Sequence, residues 1–171
     1  LNRIFNLCVS IIFLNKYKIA KVIESNSLVE RYSIFRIYPS TINIKVEKTK
    51  FLVQLKKEGK NFLLGSNGKL IKVKEFNSEI PFVFGNFDSE NFFKLKKMID
   101  EIEFDFNQIR NLFFFKSGRW DIETTDGIFI KLPKNNVQKS LEILINILNK
   151  DQEKRIKKID LRQNNQIIIN G

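Results

Sequence analysis

The chain has 171 residues, 43% of them hydrophobic, which suffices for one ordinary domain or two very small ones with a core that needs no disulfides. Histidine is absent and Cys8 is the single cysteine, so imidazole catalysis, histidine or cysteine metal sites and an internal disulfide are all excluded. The formal net charge of +11 lies mainly in residues 1–88, which carry 15 basic and 7 acidic residues, against 15 and 12 in residues 89–171. Such a surplus attracts nucleic acid or anionic lipid headgroups, although compositional drift towards Lys, Asn, Ile and Phe explains it equally well.

No segment reaches the roughly 18–20 apolar residues that cross a bilayer. The apolar run 7–14 has no cleavage-site pattern after it, so we do not expect a signal peptide there. Because the chain begins with Leu1 rather than Met, it is consistent with a fragment or a trimmed ectodomain of a longer protein.

The first half of the sequence predicts one helix followed by hairpins. Ile19, Val22 and Ile23 recur at helical spacing, and alternation of apolar and polar residues in 42–47 has the period of a half-buried strand. Asn67-Gly68 between apolar runs predicts a tight hairpin in which both residues have positive φ. The predicted elements are a helix over 16–24 and strands over 29–38, 42–47, 51–55, 61–65 and 69–73, with the second and third elements joined at Pro39-Ser40.

The second half predicts a loop over 74–88, two amphipathic helices and several strands. Ser89 is the expected N-cap of the first helix, whose apolar face comprises Phe92, Leu95, Met98, Ile99 and Ile102. The other predicted elements are a helix over 137–148 and strands over 109–115, 119–124, 128–132, 154–161 and 166–169. The fold class is therefore α+β, with a small helix and β-hairpin unit followed by a mainly antiparallel sheet with two helices.

No group of residues assembles a recognisable active site, so the sequence predicts no catalytic residues, no cofactor and no metal. The acidic cluster Asp100, Glu101, Glu103 and Asp105 is typical of a solvated helix end. The run Phe113 to Phe115 would suit base stacking in a nucleic-acid module, but its strand-like setting favours core packing.

The last predicted strand has a separate significance. A short, apolar, terminal strand is expected at a sheet edge, where unpaired backbone groups can accept a strand from a partner. An ordinary edge strand, protected by neighbouring asparagines, is the alternative, and the residues alone leave both interpretations open.

Residues 36–47, with Arg36, Tyr38, Pro39, Thr41 and Ile44 in order, resemble the end of the POTRA domain in the FtsQ/DivIB family of bacterial cell-division proteins. Further agreements follow in order over residues 12–170: Gly68, Ile80-Pro81 with Gly85, Trp120 at the head of a strand, the 130–132 strand, and Ile159-Asp160-Leu161-Arg162. Each motif is short, and their order and spacing together carry the resemblance.

The resemblance implies a partial POTRA domain over 1–49 and an FtsQ-type β domain over 50–171, in a protein without catalytic activity. It implies a divisome scaffold in the inner membrane, single-pass, with this region in the periplasm at the septum and the membrane anchor absent from this chain. The partners implied are FtsB and FtsL, besides other division proteins, with no nucleic acid. FtsB would add a strand to the last strand of the β domain. The residues implied in that contact are Lys116, Arg119, Arg162, Gln163, Asn164, Asn165, Ile167, Ile168 and Ile169.

Three departures from the family pattern matter. Residues 1–15 are too few for the first POTRA strand and helix, and Lys50 stands where the family often has proline. Gln163 replaces the aromatic residue that often follows the Asp-Leu-Arg motif, which would weaken FtsB binding, because buried aromatic residues are common hot spots.

Two other functions compete with this interpretation. A POTRA module of an outer-membrane assembly or secretion system is the first, although a second copy of the Arg-x-Tyr-Pro pattern, expected in tandem POTRA repeats, is missing. A basic nucleic-acid-binding domain is the second, and it rests on charge and aromatic content alone.

Overall fold

A computed structural model describes residues 3–8, 16–37, 41–102, 104–150, 156–163 and 166–171. Among them it forms twelve strands, three α-helices and a short 3-10 helix (Phe106–Gln108). The helices are α1 (Lys16–Ser25), α2 (Ser89–Glu101) and α3 (Val137–Lys150). The strands are β1 (Arg3–Cys8), β2 (Val29–Ile37), β3 (Thr41–Lys48), β4 (Phe51–Lys57), β5 (Lys60–Gly65), β6 (Leu70–Val73), β7 (Phe82–Phe84), β8 (Ile109–Phe114), β9 (Trp120–Thr124), β10 (Phe129–Lys131), β11 (Lys158–Asp160) and β12 (Ile168–Asn170). The α+β class is confirmed.

The chain divides into two compact units. Unit 1 comprises Leu1–Leu52 and Phe62–Val73, and unit 2 comprises Val53–Asn61 and Lys74–Gly171. The division into a partial POTRA domain (1–49) and a β domain (50–171) stays a prediction.

Unit 1 contains a three-stranded antiparallel sheet in the order β1-β3-β2, together with α1 and the β5–β6 hairpin. The pairing of Ile37 with Thr41 confirms the predicted hairpin, whose turn at residues 38–40 lies outside the described residues. Strand β1 was not predicted, because its partner β3 lies about forty residues further along the chain and leaves no local signal. The predicted apolar face of α1 is not buried, and Val22 is exposed.

Polar side chains join the β5–β6 turn to the start of β2 within unit 1. The Asn67 amide donates to the carbonyls of Ser27 and Val29, both at 2.9 Å, and the Ser66 hydroxyl donates to Glu30 at 2.7 Å. Gly68 has positive φ, but Asn67 does not, so the prediction of two such residues in this turn is wrong. Two consecutive residues with positive φ occur instead at Glu58 and Gly59, between β4 and β5.

In unit 2 the strands follow the order β12-β11-β10-β9-β8-β7-β4. The pairings β4–β7, β7–β8 and β10–β11 are parallel, so this part of the sheet is mixed rather than purely antiparallel. Strand β7 lies within the predicted loop. Three residues are too few to show the period of a strand, so only the pairings with β4 and β8 define it.

One face of this sheet carries the core. Val83, Leu112, Ile122, Ile130 and Ile159 follow one another across β7 to β11 and are all 2% exposed or less. Helices α2 and α3 bury Phe92, Leu95, Ile99, Leu141 and Leu144. Helix α2 reaches the same face through Phe92, whose ring contacts Phe87, which in turn contacts Trp120 of β9. The N-cap of α2 is Asp88, whose side chain accepts from the Asn91 backbone N–H at 2.7 Å, and not Ser89 as predicted.

Candidate functional site: the β12 edge and the helix-free face

Strand β12 lies at the edge of the described sheet and pairs with β11 alone. Its register places Asp160 opposite Ile168 and Ile159 opposite Ile169. Ile167, Ile168 and Ile169 are 45–46% exposed, so three consecutive apolar side chains remain accessible at this edge. The sequence-based expectation that the last strand is an edge strand is confirmed by this order.

The direction of the backbone groups can be read from two hydrogen bonds. Leu161 N–H donates to the Lys131 carbonyl at 2.9 Å, so the preceding Asp160 directs its backbone groups towards β12. On β12 the Asn170 carbonyl accepts from Lys157 N–H at 2.9 Å. Because backbone groups alternate along a strand, Ile168 and Asn170 face β11, whereas the N–H and C=O of Ile169 face away from the sheet.

On the face opposite the helices, the register forms a second row across the strands. We call the sheet surface that carries this row the helix-free face. The row from β7 to β12 is Phe84, Phe113, Asp121, Lys131, Asp160 and Ile168. Its middle positions are charged, although Asp121 is only 1% exposed and Asp160 only 7%.

Two arginines neutralise these buried carboxylates. Arg119 donates to Asp121 through Nε at 3.1 Å and Nη2 at 3.3 Å, and its guanidinium lies 4.3 Å from the ring centre of Phe115. Arg162 donates to Asp160 through Nε at 2.8 Å and Nη2 at 2.6 Å. Both pairs are two residues apart, so the period of a strand places each arginine on the same face as its carboxylate.

The two carboxylates have opposite pKa shifts. Burial raises the pKa of Asp121 above its ordinary value, and the hydrogen bond from Arg119 only partly opposes that effect. The Arg162 side chain lowers the pKa of Asp160, and burial opposes it. Lys131 lies between both carboxylates in the row and favours the charged form of each.

Those residues predicted from the resemblance that the structure describes lie in different environments of unit 2. Arg119 and Arg162 lie on one face, Gln163 is exposed directly after Arg162, and Lys116 is exposed in the β8–β9 turn. Ile167, Ile168 and Ile169 form the edge described above. Asn164 and Asn165 lie outside the described residues.

Sequence reasoning missed the carboxylate partners of both arginines. The signal was present as the patterns Arg119-x-Asp121 and Asp160-x-Arg162, each with opposite charges at strand spacing. Within the residues that the structure covers, no three candidate metal-ligating side chains cluster together. None of the described helices is long and apolar enough to span a bilayer.

The model of the family described as "Cell division protein FtsQ/DivIB, C-terminal" matches residues 53–162, which is more than half of the chain. The chain belongs to the FtsQ/DivIB family. The proteins of this family are described as cell division proteins.

The cell division protein FtsQ of Rickettsia bellii (strain RML369-C) is 26% identical over 163 residues. The match covers 94% of this chain but 61% of that protein, so the chain spans less than two thirds of this relative's length. Among solved structures, the major extracytoplasmic domain of the trans isomer of DivIB from Geobacillus stearothermophilus has a TM-score of 0.41 and 13% identity. That likeness covers 63% of this chain and 99% of the DivIB chain.

Proposed function

We propose that this chain is a non-enzymatic part of the divisome that binds FtsB and FtsL by accepting a strand at β12. The outward-facing backbone of Ile169 is the observation that supports the proposal, because a strand can be added only where N–H and C=O groups lack partners. Family membership supports a division role, and the resemblance names these partners.

The exposed isoleucines supply the apolar contacts of such an interface. Ile169 lies in the buried row of Ile130 and Ile159, so an apolar side chain of the added strand would extend that row. Arg162 and Gln163 follow β11, and Lys116 and Arg119 lie between β8 and β9. In this proposal these residues contact an acidic segment of the partner. We propose that Asn164 and Asn165 belong to the same contact. In this proposal the protein is anchored once in the inner membrane by a segment outside this chain, and the region described here is periplasmic.

The test is binding of the folded chain to the periplasmic segment of the cognate FtsB, measured by fluorescence anisotropy. Ile169→Pro removes an outward-facing donor without touching the β11–β12 pairing, and should weaken binding about tenfold or more. Ile169→Ala is the matched control, because it shortens the same side chain but keeps the N–H, and should retain most of the affinity. Ile168→Pro is less informative, since the Ile168 N–H faces β11 and its loss would disrupt the internal pairing.

Equal binding by wild type and Ile169→Pro would reject strand addition at this edge. Absence of binding by the folded wild type would reject the proposed partner itself.

A further inference from the structure

Five phenylalanine rings form a continuous series across the helix-free face of unit 2. The ring centres of Phe76 and Phe82 are 5.1 Å apart, those of Phe82 and Phe84 4.5 Å, those of Phe84 and Phe113 5.0 Å, and those of Phe113 and Phe129 5.5 Å. The planes of Phe84 and Phe113 are nearly parallel, at 9°. We call these five residues the phenylalanine row.

The phenylalanine row is accessible although it lies on a sheet. Phe84 is 45% exposed and Phe76 37%, and the other three rings are half-buried. Within unit 2, helices α2 and α3 pack on the opposite face of the sheet, so neither shields these rings. A connected apolar patch of several aromatic side chains is typical of a contact surface rather than of a solvated face.

Cations border this row. Lys158 is the register partner of Phe129, and Lys131 follows Phe129 by two residues on the same face. Lys56 follows Gln54, the register partner of Phe82, by two residues and is exposed. None of these three lysines makes a direct ion pair among the described residues.

Two acidic groups of this face, Asp121 and Asp160, are ion-paired, whereas Glu123 bonds only to a neutral amide and keeps its charge. Asp121 and Asp160 are held by Arg119 and Arg162, and Glu123 accepts from the Asn111 amide at 2.8 Å.

Lys131 lies between Asp121 and Asp160 and offsets their charge, whereas Lys56 and Lys158 have no ion-pair partner among the described residues. The surface therefore offers an apolar centre with positive charge at its borders.

We infer that the phenylalanine row binds a peptide segment of a partner protein in which apolar side chains are flanked by carboxylates. Apolar side chains would pack on the rings, and the flanking carboxylates would pair with Lys56 and Lys158, which gives charge complementarity at the border. This surface goes beyond the proposed strand addition, because it lies on β7, β8, β10 and the segment before β7, and uses side chains instead of the β12 backbone.

Two other occupants fit this surface less well. A second copy of the chain packed on the same face would bring identical lysines together, which is unfavourable. To bind a bilayer, apolar side chains must protrude from the protein far enough to insert between the lipid headgroups, whereas three of these five rings are half-buried in the sheet surface.

The test pans a displayed library of random 12-residue peptides on the full chain and measures the affinity of each enriched peptide by fluorescence anisotropy. The enriched sequences should combine apolar residues with flanking Asp or Glu. Their affinity should fall at least tenfold for the double variant Phe76→Ser, Phe84→Ser, and similarly for Lys56→Glu, Lys158→Glu. All four positions are exposed or half-buried, and circular dichroism verifies that each variant is folded.

Two controls separate this inference from the proposed function. Phe35→Ser removes a 50% exposed phenylalanine of β2 and should leave the affinity unchanged. Ile169→Pro should also leave it unchanged, although the same variant should weaken FtsB binding at β12.

Three results would overturn the inference. The first is a selection that yields no peptide able to distinguish wild type from the phenylalanine variant. The second is a set of enriched peptides whose flanks are basic. The third is loss of another interaction in the phenylalanine variant. If the wild type forms a dimer in analytical ultracentrifugation and the variant does not, the occupant is a second copy; if the wild type binds anionic vesicles and the variant does not, the occupant is a lipid surface.

Discussion

Arg162 holds Asp160 in a two-pronged ion pair at the end of β11, with 2.8 Å between Nε and Oδ1 and 2.6 Å between Nη2 and Oδ2. Asp160 also accepts from the Arg162 backbone N–H at 3.1 Å, so one arginine satisfies most of a carboxylate that is 7% exposed. The pair therefore fixes the conformation of the chain as it leaves the strand beside β12.

Replacement of Arg162 by alanine should destabilise unit 2. It leaves the buried Asp160 without its charged donors, and we expect a loss of about 1–2 kcal/mol in the free energy of unfolding, since Arg162 itself is partly exposed. Urea unfolding at pH 7 measures it. Arg110→Ala is a suitable control, because Arg110 is exposed and, among the described residues, donates a hydrogen bond only to the Thr125 carbonyl. Equal stability of the two variants would contradict a structural role for the Asp160–Arg162 pair.

The two buried carboxylates should contribute to acid stability with opposite signs. The folded-state pKa of Asp160 is lowered, so its contribution is present above the unfolded pKa of about 3.9 and is lost as the pH falls through the lower folded value. The folded-state pKa of Asp121 is raised, so its contribution is present below about pH 3.9 and is lost as the pH rises through the higher folded value.

Urea unfolding of Asp160→Asn and Asp121→Asn between pH 3 and pH 7 tests these signs. Relative to wild type, Asp160→Asn should become more destabilised as the pH rises, whereas Asp121→Asn should become less destabilised. Parallel pH profiles for the two variants would show that Arg119 outweighs the burial of Asp121.

Gly85 should tolerate no side chain. Its φ is +102°, and a Cβ at this position would lie 2.1 Å from the Phe114 carbonyl oxygen, which belongs to the backbone and cannot move aside cheaply. We expect Gly85→Ala to cost more than about 3 kcal/mol in the free energy of unfolding, or to prevent folding.

Gly127→Ala is the matched control, because Gly127 has φ of +85° but no atom within 4 Å of the added Cβ. It should cost only about 1–2 kcal/mol, the strain of a left-handed residue. A similar loss in both variants would mean that the close approach at Phe114 is relieved by local movement.

Asn67 should stabilise the start of β2. Its amide donates to the carbonyls of Ser27 and Val29, and its Oδ1 accepts from Lys69 N–H at 3.0 Å, so alanine removes three hydrogen bonds. We expect faster amide hydrogen exchange in residues 29–37 with little change in β8 and β9. Asn61→Ala, which removes one exposed hydrogen bond to the Lys74 carbonyl, serves as the comparison. Uniform acceleration over the whole chain would point to global destabilisation instead.

Local periodicity was sufficient to predict α2, α3 and most strands, because burial of one face imposes a repeat of 3.6 or 2 residues that can be read in the chain itself. The same repeat predicted α1, although none of its residues is buried. The expected position of the last strand at a sheet edge is confirmed by the strand order. The pairings of β1 with β3 and of β7 with both β4 and β8 were not predictable, because those hydrogen bonds join residues far apart in sequence.

The same division holds for the site. The sequence by itself determined the apolar character of Ile167 to Ile169 and the strand-spaced charges Arg119-x-Asp121 and Asp160-x-Arg162. Only the tertiary structure decided that the backbone of Ile169 faces outward and that both ion pairs share one row. It also decided that five phenylalanines, separated by up to 53 positions, form one surface. The physical reason is that strand order and register set these relationships, and both arise from non-local hydrogen bonds and packing that no short window of sequence contains.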